Sequence, residues 1–66
     1  MVAPLDIYRS ARLLIIQHGE AASIIAAQRA DEMLARGDMD GKTVWLAILR
    51  AVEELQRGLQ DGEAIN

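Results

Sequence analysis

Few of the residue types that commonly act in catalysis or bind metals occur in this 66-residue chain, and His18 is its single histidine. Glu20 lies close by, so the two could in principle act as a general base or as metal ligands. However, no Ser, Asp or second ligand has the spacing that would complete a catalytic triad or a metal site. A His at the end of a helix also interacts favourably with the last backbone carbonyls. We therefore expect His18 to be a helix C-terminal residue.

The segment Asp38-Met39-Asp40-Gly41 superficially resembles part of a calcium-binding loop. Such a loop needs oxygen ligands at its first, third and fifth positions, Gly at the sixth and Glu at the twelfth. Aligning Gly41 with the sixth position puts Arg36 at the first and Ala47 at the twelfth, and neither fits. We expect Asp38 or Asp40 to cap a helix instead. A catalytic or metal site that combined them with His18 would require the fold to bring them together.

The remaining acidic side chains also argue against a catalytic site. Adjacent carboxylates, as at Asp31/Glu32 and Glu53/Glu54, diverge by about 100° on a helix and cannot share a site. They can instead form ion pairs at helical spacing, as Glu53 could with Arg50 or Arg57. The chain has no Cys, no Gly-rich phosphate loop and no nucleophile motif. We therefore predict that the protein is not an enzyme and that it holds no cofactor and no metal.

Composition and charge narrow the class further. The chain has a hydrophobic content of 52%, a net charge of −3 and an isoelectric point near 4.9. An acidic chain of this kind is a poor binder of nucleic-acid phosphates. There is no signal-peptide pattern, and the apolar runs are far shorter than the roughly 20 residues that span a bilayer. We therefore expect a cytoplasmic protein with no membrane partner.

Hydrophobic periodicity predicts an all-α fold with three helices, over about residues 4–18, 20–36 and 39–58. Pro4 suits a first helical turn, and Gly19 and Gly37 stand where the first two helices should end. The second helix is rich in Ala, which lets neighbouring helices approach closely. Residues 1–59 should form one compact domain, followed by a polar, flexible tail over 60–66. The core stripe predicted for the third helix is Val44, Trp45, Ile48, Ala51, Val52, Leu55 and Leu59.

Two of the helices are apolar over more than one stripe. Leu13 and Ile16 lie off the stripe of the first helix, while Leu46 and Leu49 flank that of the third. This pattern favours a second buried face, although a broad core stripe is the alternative. Because chains this small often need a partner, we predict a homodimer or larger homo-oligomer, or binding to another protein. The predicted interaction surface is Leu13, Ile16, Trp45, Leu46 and Leu49.

A small DNA-binding regulator is the alternative function, because the second and third predicted helices could imitate a helix-turn-helix. A recognition helix should carry exposed polar or basic side chains near its start, and here only Lys42 and Thr43 do so. DNA binding would also need a dimer that collects Arg9, Arg12 and Arg29 on one side. The preferred hypothesis is therefore a non-enzymatic protein-interaction module.

Several segments together resemble a family of short, uncharacterised alphaproteobacterial proteins. These are the His18-Gly19-Glu20 corner, the Gly37-Asp38-Met39-Asp40-Gly41 turn and the Val44-Trp45 pair, within a match over about residues 5–57. The resemblance implies three helices and no known activity. It also implies that Ile16 and Leu46 occupy positions that are usually polar or charged, which would fit an interface specific to this chain.

Overall fold

In a computed structural model of the chain, the backbone is described for residues 3–65 and the side chains for residues 3–58. The fold is all-helical and compact. Helix α1 spans Pro4–His18, a 3₁₀ turn follows over Gly19–Ala21, helix α2 spans Ala22–Ala35, and helix α3 spans Met39–Ile65. Within the described backbone, only Ala3 and residues 36–38 lie outside helices.

The number of separate helices differs from the sequence prediction. Helix α1, the 3₁₀ turn and α2 follow one another with no non-helical residue between them, so the chain forms two uninterrupted helical stretches and not three. The reason is that hydrogen bonding continues across the corner, where the Gly19 N–H donates to Ile15 and the Ala22 N–H donates to Gly19. The prediction of three separate helices is wrong in this respect.

Gly19 bends the first helical stretch, between α1 and α2. It has φ 57° and ψ −126°, a conformation that side chains bearing a Cβ avoid. The bend lets both α1 and α2 pack against α3, while they make few contacts with each other. Helix α1 has the predicted bounds, whereas α2 begins two residues later than predicted because Glu20 and Ala21 belong to the 3₁₀ turn.

The turn between α2 and α3 lies at the position that the sequence predicts. Gly37 has φ 75°, its N–H donates to the Leu34 carbonyl at 3.0 Å, and the Asp38 N–H donates to the Met33 carbonyl at 2.9 Å. These two bonds form a Schellman motif, which satisfies carbonyls at the end of α2. The Gly41 N–H then donates to Asp38 Oδ1 at 2.8 Å, so Asp38 caps α3.

Helix α3 continues beyond the predicted end near residue 58. Gly58 does not take a positive φ, and a glycine weakens a helix without ending it unless the backbone changes direction there. The predicted flexible tail over 60–66 and the predicted core position Leu59 lie outside the described side chains.

The core consists mainly of alanine. The buried residues are Ala11 on α1, Ala22, Ala26 and Ala30 on α2, and Ile48, Ala51 and Val52 on α3. Larger side chains pack around this set and are only partly buried, namely Ile7, Leu14, Ile15, Val44, Trp45, Leu49 and Leu55. Alanine lets both short helices approach α3 closely, so the interior holds little apolar volume.

Two glycine substitutions should have opposite effects on stability. Gly37→Ala strains a positive-φ position and should lower the free energy of unfolding by about 1 kcal/mol. Gly58→Ala replaces a helical glycine that has open space around its Cβ position, and should raise it by about 0.5–1 kcal/mol. Urea denaturation followed by Trp45 fluorescence measures both. Equal changes in the two variants would contradict this account of the turn.

Candidate functional site

Two side-chain hydrogen bonds fasten α1 and the corner to α3. The Tyr8 hydroxyl donates to Glu54 Oε2 at 2.7 Å, and Gln56 Nε2 donates to the Gly19 carbonyl at 3.0 Å. They join residues 46 and 37 positions apart, so they connect α1 and the corner to distant positions on α3. No local pattern in the sequence indicated either bond.

The contact with Glu54 alters the chemistry of Tyr8. The hydrogen bond to the Glu54 carboxylate raises the pKa of the Tyr8 phenol, and the carboxylate's charge raises it further. Both effects have one origin, because ionising the phenol would destroy the donated hydrogen bond and place a second negative charge beside the first.

The outward side of α1 is apolar and positively charged. Three aliphatic side chains are largely exposed there: Leu5 at 60%, Leu13 at 52% and Ile16 at 71%. At about 100° per residue, they lie on the side of the helix away from buried Ala11. Arg9 and Arg12, which are also exposed, share the same side. These five residues are called the α1 face below.

The outward side of α3 forms a second surface. Leu46 is 39% exposed and lies on the side of α3 away from buried Ile48. An open groove on this side is lined by Thr43, Leu46, Ala47, Leu49, Arg50 and Glu53. Leu49 is partly buried because it also packs against the core.

The structure does not gather the five predicted interaction residues into one patch. Leu13 and Ile16 belong to the α1 face, whereas Leu46 and Leu49 line the groove on α3. Because α1 and α3 pack through their buried sides, these outward surfaces point away from each other. Trp45 is half-buried against the core. Leu5, which the sequence analysis did not select, extends the α1 face by one more exposed aliphatic side chain.

The fold separates the residues considered for catalysis. His18 is exposed beside the corner, which Gln56 holds, whereas Asp38 and Asp40 lie at the start of α3. The 18 positions from Asp38 to Gln56 correspond to about 27 Å of helix. Among the described residues, no group of three or more His, Asp or Glu side chains is placed to hold a metal ion.

The residues considered for DNA binding either make contacts within the chain or lie on different helices. The Thr43 hydroxyl donates to the Met39 carbonyl at 2.9 Å, and Lys42 is half-buried. Arg29 forms an ion pair with Glu32 at 3.0 Å on α2, away from the two arginines of the α1 face. No observation here favours the DNA-binding alternative, which stays a prediction.

Comparison of the chain with protein-family models, curated proteins and solved structures finds no match. The resemblance to short alphaproteobacterial proteins therefore stays a prediction. In the part of the chain that the structure describes, no helix has the length and apolar character needed to cross a membrane.

The pKa of Tyr8 can be measured directly, because Tyr8 is the single tyrosine. Its phenolate absorbance should appear with a midpoint above the ordinary value of about 10. Since folding raises this pKa, the stability that Tyr8 contributes is present below that ordinary value and is lost as the pH rises through the folded-state pKa.

Substitution of the neighbouring glutamates tests the cause of this shift. Glu54→Gln should move the midpoint down towards the ordinary value, because the negative charge beside the phenol is gone. Glu53→Gln is the matched control, since Glu53 lies about 100° further round the helix, and it should leave the midpoint in place. Equal shifts in both variants would mean that net charge and not the hydrogen bond sets the pKa.

Proposed function

We propose that this protein is a non-enzymatic helical interaction module that associates through apolar side chains on its outward helix surfaces, with a second copy of itself as the first partner. The observation that carries the proposal is that small side chains are buried while large aliphatic side chains are exposed. Among the described side chains, five of the seven buried residues are alanines, while Leu5, Leu13 and Ile16 are each more than half exposed.

Energetics support association. Fully burying a Leu or Ile side chain is worth about 1.5–3 kcal/mol, and the isolated chain gains only part of this at each exposed position. A chain of this length also buries only about 60% of the surface that its unfolded form exposes, so its own stability should be modest. Covering the outward aliphatic side chains with a partner would add to both stability and specificity.

The proposal also accounts for the arrangement of charge. The exposed aliphatic side chains lie among Arg9 and Arg12 on α1, and beside Arg50 and Glu53 on α3. An apolar centre with charged neighbours is the usual composition of a protein–protein contact, in which the apolar part gives affinity and the charged rim restricts the partner. The cellular process would then be determined by the partner.

The first experiment is light scattering coupled to size exclusion over a dilution series. Wild-type protein should show a mass that rises with concentration from 7.2 kDa towards twice that value. The double variant Ile16→Glu, Leu46→Glu should remain at the monomer mass, because it places a charge on both outward apolar surfaces, whichever of them forms the contact.

Gln17→Glu is the matched control, because it adds the same charge at an exposed position next to Ile16 without removing an aliphatic side chain. It should associate as the wild type does, and circular dichroism should show equal helix content in all three proteins. A wild-type chain that stays monomeric at every concentration would overturn self-association.

A further inference from the structure

Four residues on the outward side of α3 form a regular stripe. Lys42, Leu46, Leu49 and Glu53 are separated by four, three and four positions. At about 100° per residue they lie within an arc of about 60°, as in the contact seam of a coiled coil. Leu46, Leu49 and Glu53 line the same groove, which places them on one open surface. These four residues are called the α3 stripe below.

The α3 stripe is complementary to itself when it is reversed. Its midpoint lies between residues 47 and 48, and Lys42 lies as far before this point as Glu53 lies after it. Leu46 and Leu49 are symmetric about the same midpoint. In an antiparallel pair of α3 helices related by a two-fold axis, Lys42 would therefore oppose the partner's Glu53, and Leu46 would oppose the partner's Leu49.

Neither charge of the α3 stripe forms an ion pair with another described side chain of the same chain. Among the described side chains, the only ion pair within 4.0 Å is Arg29–Glu32. Lys42 and Glu53 are eleven positions apart, about 16 Å along the helix, so they cannot reach each other in the monomer. A second copy would supply an opposite charge to each of them.

The α1 face lacks this self-complementarity. Reversing it about the midpoint between residues 10 and 11 would place Leu5 against the partner's Ile16, but it would also place Arg9 against the partner's Arg12. Two such like-charge contacts oppose pairing across a two-fold axis. Of the two outward surfaces, only that of α3 can pair with its own copy through both apolar and charged contacts.

We propose that two copies of this chain dimerise by antiparallel pairing of their α3 stripes, centred between residues 47 and 48. This inference rests on the proposed function and assigns its partner, surface and register. The contact is short, about three turns of helix on each side, so the dimer should dissociate on dilution, as small interfaces commonly do. The α1 face would remain open in the dimer.

Charge reversal tests the register. Lys42→Glu alone and Glu53→Lys alone each replace both opposite-charge contacts of the dimer by like-charge contacts. Each should raise the dimer Kd by at least about tenfold, measured by sedimentation equilibrium. The double variant Lys42→Glu, Glu53→Lys restores opposite charges across the axis and should return the Kd to within about threefold of the wild type.

Mixing the two single variants gives a sharper test. Each should associate weakly alone, yet an equimolar mixture should form a heterodimer, because every contact then joins a Glu to a Lys. Uniform ¹⁵N labelling of one variant lets native mass spectrometry distinguish this species from both homodimers, because Lys and Glu residues are nearly equal in mass. Arg36→Glu and Asp31→Lys, which make the same kinds of charge change at exposed positions outside the stripe, should dimerise as the wild type does.

Several results would overturn the inference. The first is an unchanged Kd in both single variants when circular dichroism shows that they are folded. The second is a double variant whose Kd does not recover, and the third is a mixture that forms no heterodimer. A dimer that Ile16→Glu abolishes and charge reversal does not affect would overturn the register while leaving the proposed function intact. A wild-type monomer at every concentration would overturn both.

Discussion

Close contact of alanines with α3 is the constraint on which the rest of the structure depends. Ala11 from α1 and both Ala22 and Ala26 from α2 are buried beside Ile48, Ala51 and Val52, and Ala30 is buried further along α2. Side chains this small let helix axes approach closely, but they leave little internal space for leucine or isoleucine. Apart from Ile48, the described leucine and isoleucine side chains therefore surround the core or lie outside it. The thin core and the apolar exterior have the same cause.

The corner and the turn make that contact possible. Gly19 changes the direction of the chain without ending its helical hydrogen bonding, and Gly37 reverses the chain so that α2 lies along α3. The Gln56 amide then holds the Gly19 carbonyl, and Glu54 holds the Tyr8 hydroxyl. Tyr8, Glu54 and Gly19 are exposed and Gln56 is half-buried, so these bonds lie outside the core and orient α1 more than they stabilise the core.

The charges beside the exposed aliphatic residues differ between the two outward surfaces. On α1 the neighbouring charges are both positive, which favours a partner of opposite charge over a second copy. On α3 a lysine and a glutamate stand at equal distances from the centre of the stripe, which favours a second copy in one orientation. We propose that this small fold presents two surfaces with different partner preferences, which the apolar residues alone would not distinguish.

Local patterns in the sequence determined the all-helical class, the bounds of α1, the start of α3 and the role of Gly37, and they narrowed the cap of α3 to Asp38 or Asp40, because capping and periodicity act over a few residues. They also identified Leu13, Ile16 and Leu46 as surplus apolar residues. Only the tertiary structure decided that α1 and α2 form one bent helical stretch, that Tyr8 and Gln56 bond to distant residues, and that the predicted interaction residues lie on opposite sides. Those features depend on how helices cross, and the packing of residues far apart in the chain fixes that crossing.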